Sequence, residues 1–198
     1  MGILSGHAIR AAQRRGEIEI TPYDDKLINP NSVDVRLGTR VVTYGHYVGS
    51  KSPKLISLAP QVGVLDAKRE NPCERHEVDP DGAFILYPGH LYLMHTAEVI
   101  RTPCYVPKLD GKSSVARLGV TVHLTAGFGE VGFNGQYTLE VTVVYPTKLY
   151  AGMRIAQMYF EELAGDPIDY EKAGGHYVGE YARGAVPSLS WKQFEEDT

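Results

Sequence analysis

Cysteine is scarce: Cys73 and Cys104 are the two thiols in 198 residues. Each follows a proline and neither belongs to a C-x-x-C pair, which argues against a disulfide framework. Long apolar runs are missing too, since no stretch approaches the ~20 residues that cross a bilayer. The opening MGILSGHAIRAAQRRG turns charged too early for a secretory leader, and Gly6 stands where a myristoylation signal needs Ser or Thr. These absences lead to the expectation of a cytoplasmic protein with no membrane partner. A positive balance is lacking as well. The net charge of −4 gives no general attraction to nucleic acid, so any phosphate site must be local. There is no internal repeat and no low-complexity tract.

What is present fits a single domain over 1–198. Hydrophobic residues at 43% and charged ones at 22% are ordinary globular values, enough for a sizeable core at this length. Residues 4–20, LSGHAIRAAQRRGEIEI, predict a short helix with Ser5 as its cap, Ile9 and Ala12 on one face and Gly16 at its end. After it the signals are β. SVDVRLG alternates Val33, Val35 and Leu37 against Asp34 and Arg36. TRVVTYGHYV, AFILYPGHLYLMHTAEVI and QYTLEVTVVY are rich in β-branched and aromatic residues, with Gly and Pro between them. Residues 50–82 read as an excursion from the core, and residues from 166 to the end as a flexible tail or lid. Many short strands separated by turns predict a mainly β jelly roll or barrel.

Three stretches carry chemistry. GKSSVARLG at 111–119 gathers a lysine, two serines and an arginine between glycines. Lys112, Ser113, Ser114 and Arg117 suit a polyphosphate, although a solvated turn leading into a helix would read the same way. In 123–141 four glycines precede a strand in which Tyr137, Leu139, Val141 and Val143 face one way and Thr138, Glu140 and Thr142 the other. A half-buried Glu140 would suit general acid–base work; a solvent-facing one would be a plain edge charge. In AGMRIAQMYFEE, Arg154 and Gln157 could point into a shared site or simply lie on the surface.

Taken in order, GKSSVARLGVTVHLTA and then GFNGQYTLEV resemble the dCTP deaminase family of the dUTPase-like superfamily. INPNSVDVRLG, GMRIAQM and RGAVPS resemble that family's N-terminal, late phosphate-contact and C-terminal segments. The resemblance implies a distorted jelly roll that forms a homotrimer, with active sites at subunit interfaces. It implies zinc-independent replacement of the 4-amino group of a cytosine deoxynucleotide by oxygen, most directly dCTP to dUTP and ammonia. The sequence has no zinc-deaminase pair of motifs: PCERHE at 72–77 lacks the second cysteine. By the resemblance Glu140 is the general base, Ser113 orients the attacking water and Arg117 supports the site. Thr125 and Ala126 meet the base edge with their backbone, His123 joins the substrate contacts, and Phe133 packs on the sugar. Lys112, Ser114 and Gln157 bind phosphates bridged by Mg²⁺, and Tyr170 and the tail close over the nucleotide.

The chain departs from the family pattern in places. Lys112 replaces an arginine, and Glu130 replaces the aspartate expected to meet the deoxyribose 3′-hydroxyl. His176 and Glu180 stand where Lys and Gln are expected. These departures leave a dCMP or 5-modified substrate open. They also leave open a bifunctional deaminase/dUTPase, a pure dUTPase and a non-catalytic nucleotide binder.

Overall fold

The computed structural model describes residues 2–194, with backbone alone at 47–51 and 58–61. The helix forms at Gly6–Arg15, where the sequence places it. Ser5 Oγ accepts from the Ala8 N–H at 3.3 Å. Gly16 ends the helix with φ 72°, a left-handed turn that glycine adopts without a Cβ penalty. Ile9 and Ala12 are the buried face. No helix among the described residues is long and apolar enough to cross a membrane.

The rest is sheet. A five-stranded sheet runs in the order Val120–Thr121, Thr138–Val143, Tyr92–His95, Arg40–Tyr44, Cys73–Glu77. A three-stranded sheet pairs Tyr105–Gly111 and Val33–Arg36 on either side of Arg154–Glu162. A four-stranded sheet joins Thr147–Tyr150, Ala83–Leu86, Leu55–Gln61 and His46–Ser52. A small sheet joins Glu19–Thr21, Val99–Arg101 and Asn134–Gly135. The sheets stay open, so the mainly β expectation holds as packed sheets and not as a closed barrel. Phe84, Tyr92, Met94, Leu139, Ile155 and Phe160 lie fully buried between them. This main apolar layer fixes the strands from which the site residues project.

Two segments carry more order than their sequence suggested. The 50–82 excursion contains most of a hairpin, His46–Ser52 against Leu55–Gln61, which lies parallel to Ala83–Leu86. It also holds the edge strand Cys73–Glu77, paired with Arg40–Tyr44. The tail is a strap packed onto the five-stranded sheet. Ala182, Ala185, Val186 and Leu189 are buried. Thr138 Oγ1 accepts from the Val186 N–H at 3.2 Å, Tyr44 Oη from the Ser188 N–H at 2.8 Å and Tyr177 Oη from the Leu189 N–H at 3.2 Å. Its partners lie 40 or more positions away in sequence for all but the last of these bonds. Local periodicity therefore could not reveal it.

Candidate active site

The Thr138–Val143 strand alternates as its sequence requires, with Leu139, Val141 and Val143 buried in the core. Its other face presents Thr138 and Glu140, both half-buried. Glu140 pairs in register with Leu93, which joins Val42, Tyr44 and Ala185 in a second apolar cluster. Glu140 is therefore a carboxylate on an apolar floor. The Leu124 N–H donates to Glu140 Oε2 at 2.9 Å, and Oε1 has no partner among the described residues.

Above that floor lies a cleft of about 490 Å³. Of the residues expected to meet a nucleotide, it brings together Glu140, Thr125, Ala126, Glu130, Phe133 and Tyr170. The Phe133 ring stands edge-on to Tyr137 at 4.9 Å and to Tyr170 at 5.8 Å. Tyr170 is held in place by its own N–H on the Val131 carbonyl at 3.0 Å and by accepting the Tyr177 N–H at 3.2 Å. Burial pushes the Tyr137 phenol far up, and the nearby Glu130 charge adds to it. Burial likewise raises Tyr44, with a smaller contribution from the charge of Glu140. Both phenols stay protonated near neutral pH, and Glu130 and Glu140 are the carboxyl groups that line the cleft. The sequence reading missed Tyr44, Leu93, Tyr177, Val186 and Ser188, which also line it. The apolar character of Leu93, Val186 and the two tyrosines was legible, but not the tail's return that unites them with Ser188.

The other predicted residues lie outside this cleft. Lys112 caps a short helix, Ser113–Ala116, at the end of the Tyr105–Gly111 strand. That strand belongs to a different sheet from Glu140. Ser113, Ser114 and Arg117 are exposed and make no side-chain hydrogen bond among the described residues. Lys112 Nζ donates to Asp34 Oδ1 at 2.6 Å. Gln157 accepts from Ser32 Oγ at 3.0 Å and donates to the Gly111 carbonyl at 3.0 Å. His123 Nε2 lies 3.9 Å from Asp110, and its buried Nδ1 has no hydrogen-bond partner among the described residues. His176 and Glu180 line no part of the cleft, and their side chains have no partner among the described residues. The chain thus presents two half-sites, an apolar cleft with Glu140 and a patch of unused donors around Lys112. Among the described residues no three metal-ligating side chains converge.

Comparison with known proteins follows these two half-sites. Residues 3–163 match the model of the family described as dCTP deaminase-like. A Leptospira biflexa protein named dCTP deaminase, dUMP-forming, is 38% identical over 195 residues, 98% of this chain and 99% of the relative. A Clostridium acetobutylicum protein of the same name is 38% identical over 97% of this chain and 98% of the relative. Among solved structures, 2′-deoxycytidine 5′-triphosphate deaminase from Agrobacterium tumefaciens aligns with TM-score 0.56 and 25% identity. The alignment covers 80% of this chain and 46% of that longer one.

Proposed function

We propose that this chain, which belongs to the dCTP deaminase-like family, is an enzyme that hydrolyses the 4-amino group of a cytosine deoxynucleotide, dCTP first. The observation that carries the reading is Glu140, a half-buried carboxylate on an apolar cleft floor with one oxygen fixed and the other free. A base must reach its water without being solvated away from it, and such a cleft supplies that setting.

In this reading water attacks C4 of the ring and Glu140 takes its proton. Glu140 then delivers protons to N3 and to the departing amine, so that dCTP and water become dUTP and ammonia. The backbone near Thr125 and Ala126 holds the base edge, Phe133 holds the sugar, and Tyr170 with the strap excludes bulk water. Ser113 positions the water, Arg117 supports it, and Lys112, Ser114 and Gln157 hold the phosphates. Mg²⁺ would arrive with the nucleotide and neutralise its phosphate charge, and the reading needs no zinc. Lys112 and its neighbours are donors suited to the phosphates and not to the cation.

Because one chain does not unite Glu140 with Ser113, the reading requires a second copy to complete each site. We infer a homotrimer. Leu118, Val144 and Tyr145, each more than half exposed beside Arg117, are the apolar surface that such an assembly would cover.

A second reading is favoured by the names of the relatives and by Glu130 in the same cleft. Glu130 would activate a second water against the triphosphate, so that dUTP leaves as dUMP and pyrophosphate. The test is a timed product assay with dCTP and Mg²⁺. Ammonia released with dUTP supports deamination alone, and ammonia with dUMP and pyrophosphate supports both steps. No ammonia from dCTP overturns the proposal.

A further inference from the structure

Asp34 is the most buried carboxylate near the donor patch, at 1% exposure. The sequence places it on the polar face of its strand, yet the structure buries both faces. It is far from orphaned. Lys112 Nζ donates to Oδ1 at 2.6 Å, Asn29 Nδ2 to the same oxygen at 2.8 Å, and Arg154 Nη1 to Oδ2 at 3.4 Å. Register explains the convergence. Asp34 and Asp110 flank Gln157 from the two neighbouring strands, and Gly111 pairs with Ala156. Lys112 therefore leaves the sheet beside Arg154.

Lys112 and Arg154 share the buried carboxylate of Asp34, while the exposed Asp110 accepts from the Gly111 N–H at 2.7 Å. Asp34 takes one donor from each cation and leaves their others unspent. Arg154 remains 60% exposed on its side chain and Lys112 20%, and Lys112 is followed directly by the exposed hydroxyls of Ser113 and Ser114. Loose surface cations would have to be ordered by a ligand at an entropic cost. Anchored to a buried carboxylate, they are ordered beforehand.

We propose that Asp34 is the positioning residue of the phosphate half-site. It holds Lys112 and Arg154 side by side so that their free N–H groups meet a polyphosphate, and Arg154 is a phosphate-binding residue alongside Lys112. This rests on the reading of Lys112 as a phosphate ligand and concerns no atom of the base.

The test is Asp34→Asn, read by steady-state kinetics with dCTP and by calorimetric binding of inorganic tripolyphosphate. Misplacing charge-assisted contacts is expected to raise KM for dCTP and weaken tripolyphosphate by ~10-fold or more, with kcat within ~3-fold. Unchanged KM and tripolyphosphate affinity would overturn the proposal, as would a fall in kcat alone. Should Asp34→Asn not fold, the exposed Arg154→Gln decides. A ~10-fold rise in KM supports the shared anchor, and an unchanged KM overturns it. If the wild-type chain binds tripolyphosphate yet releases no ammonia from dCTP, the deaminase reading fails while the Asp34 assignment is still judged by the tripolyphosphate data.

Discussion

Gly135→Ala is the sharpest probe of the strap. Gly135 pairs with Ile100 in the small sheet and is buried where the tail crosses. A Cβ there would lie 2.5 Å from the Ala182 carbonyl oxygen, 2.7 Å from Phe133 Cζ and 2.8 Å from Ala182 Cβ. Two of those atoms belong to the strap and the third to the ring expected to meet the sugar. Overpacking of this kind costs ~1–3 kcal/mol. The adjacent bond from the Gln136 N–H to the Ala182 carbonyl, 2.9 Å long, adds ~1 kcal/mol when lost. The sum of ~2–4 kcal/mol lowers the docked-to-undocked ratio of the strap by ~30- to ~1000-fold. Trypsin at Arg183, whose guanidinium now bonds the Asn134 carbonyl at 2.8 Å, reads that ratio directly. Cleavage at least ~10-fold faster than wild type, with kcat/KM for dCTP reduced by a similar factor, is the expected result. Unchanged protection at Arg183 would refute the claim that the strap closes the cleft through this contact.

Subunit sharing can be read by mixing. Glu140→Gln and Ser113→Ala chains, each inactive alone, should recover about a quarter of the wild-type sites when unfolded and refolded together, because random assembly pairs their intact halves that often. No recovery from a mixture shown to be trimeric would mean that each chain carries its own complete site. A pH dependence follows from His95, which is 2% exposed, with Nδ1 bonded to the Thr96 carbonyl and Nε2 accepting the Arg40 N–H at 3.2 Å. Burial lowers its pKa from 6.5, with Arg40 helping and the Thr96 bond and Glu77 opposing. The neutral ring thus contributes stability that is full above about pH 6.5 and lost as pH falls toward the lower folded value. Melting temperature should fall from pH 7.5 to pH 5, and less steeply in His95→Gln. Equal slopes in the two proteins would remove His95 from the account.

The half of the site that was legible in the sequence rested on local pattern. Alternation alone put Glu140 opposite Leu139 and Val141, and glycine spacing marked the turn that carries Glu130 and Phe133. The helix and its Ser5 cap were equally local. What escaped depended on contacts across the chain. Asp34 looked solvent-facing because alternation cannot say that a second layer covers the other face. The strap looked formless because Val186 and Ser188 are ordered by Thr138 and Tyr44, far away in sequence. Lys112 and Glu140 were expected in one site shared between subunits, and their separation in the chain is consistent with that: Lys112 follows a strand of the three-stranded sheet, whereas Glu140 lies in the five-stranded one.

The central claim is that Glu140 is the base of a deamination. Glu140→Gln keeps the Leu124 N–H partnered and keeps the side chain's size while removing its ability to take a proton. Ammonia release from dCTP, measured together with nucleotide affinity, should fall by at least ~10²-fold at unchanged affinity. Release within a few-fold of wild type would contradict the account.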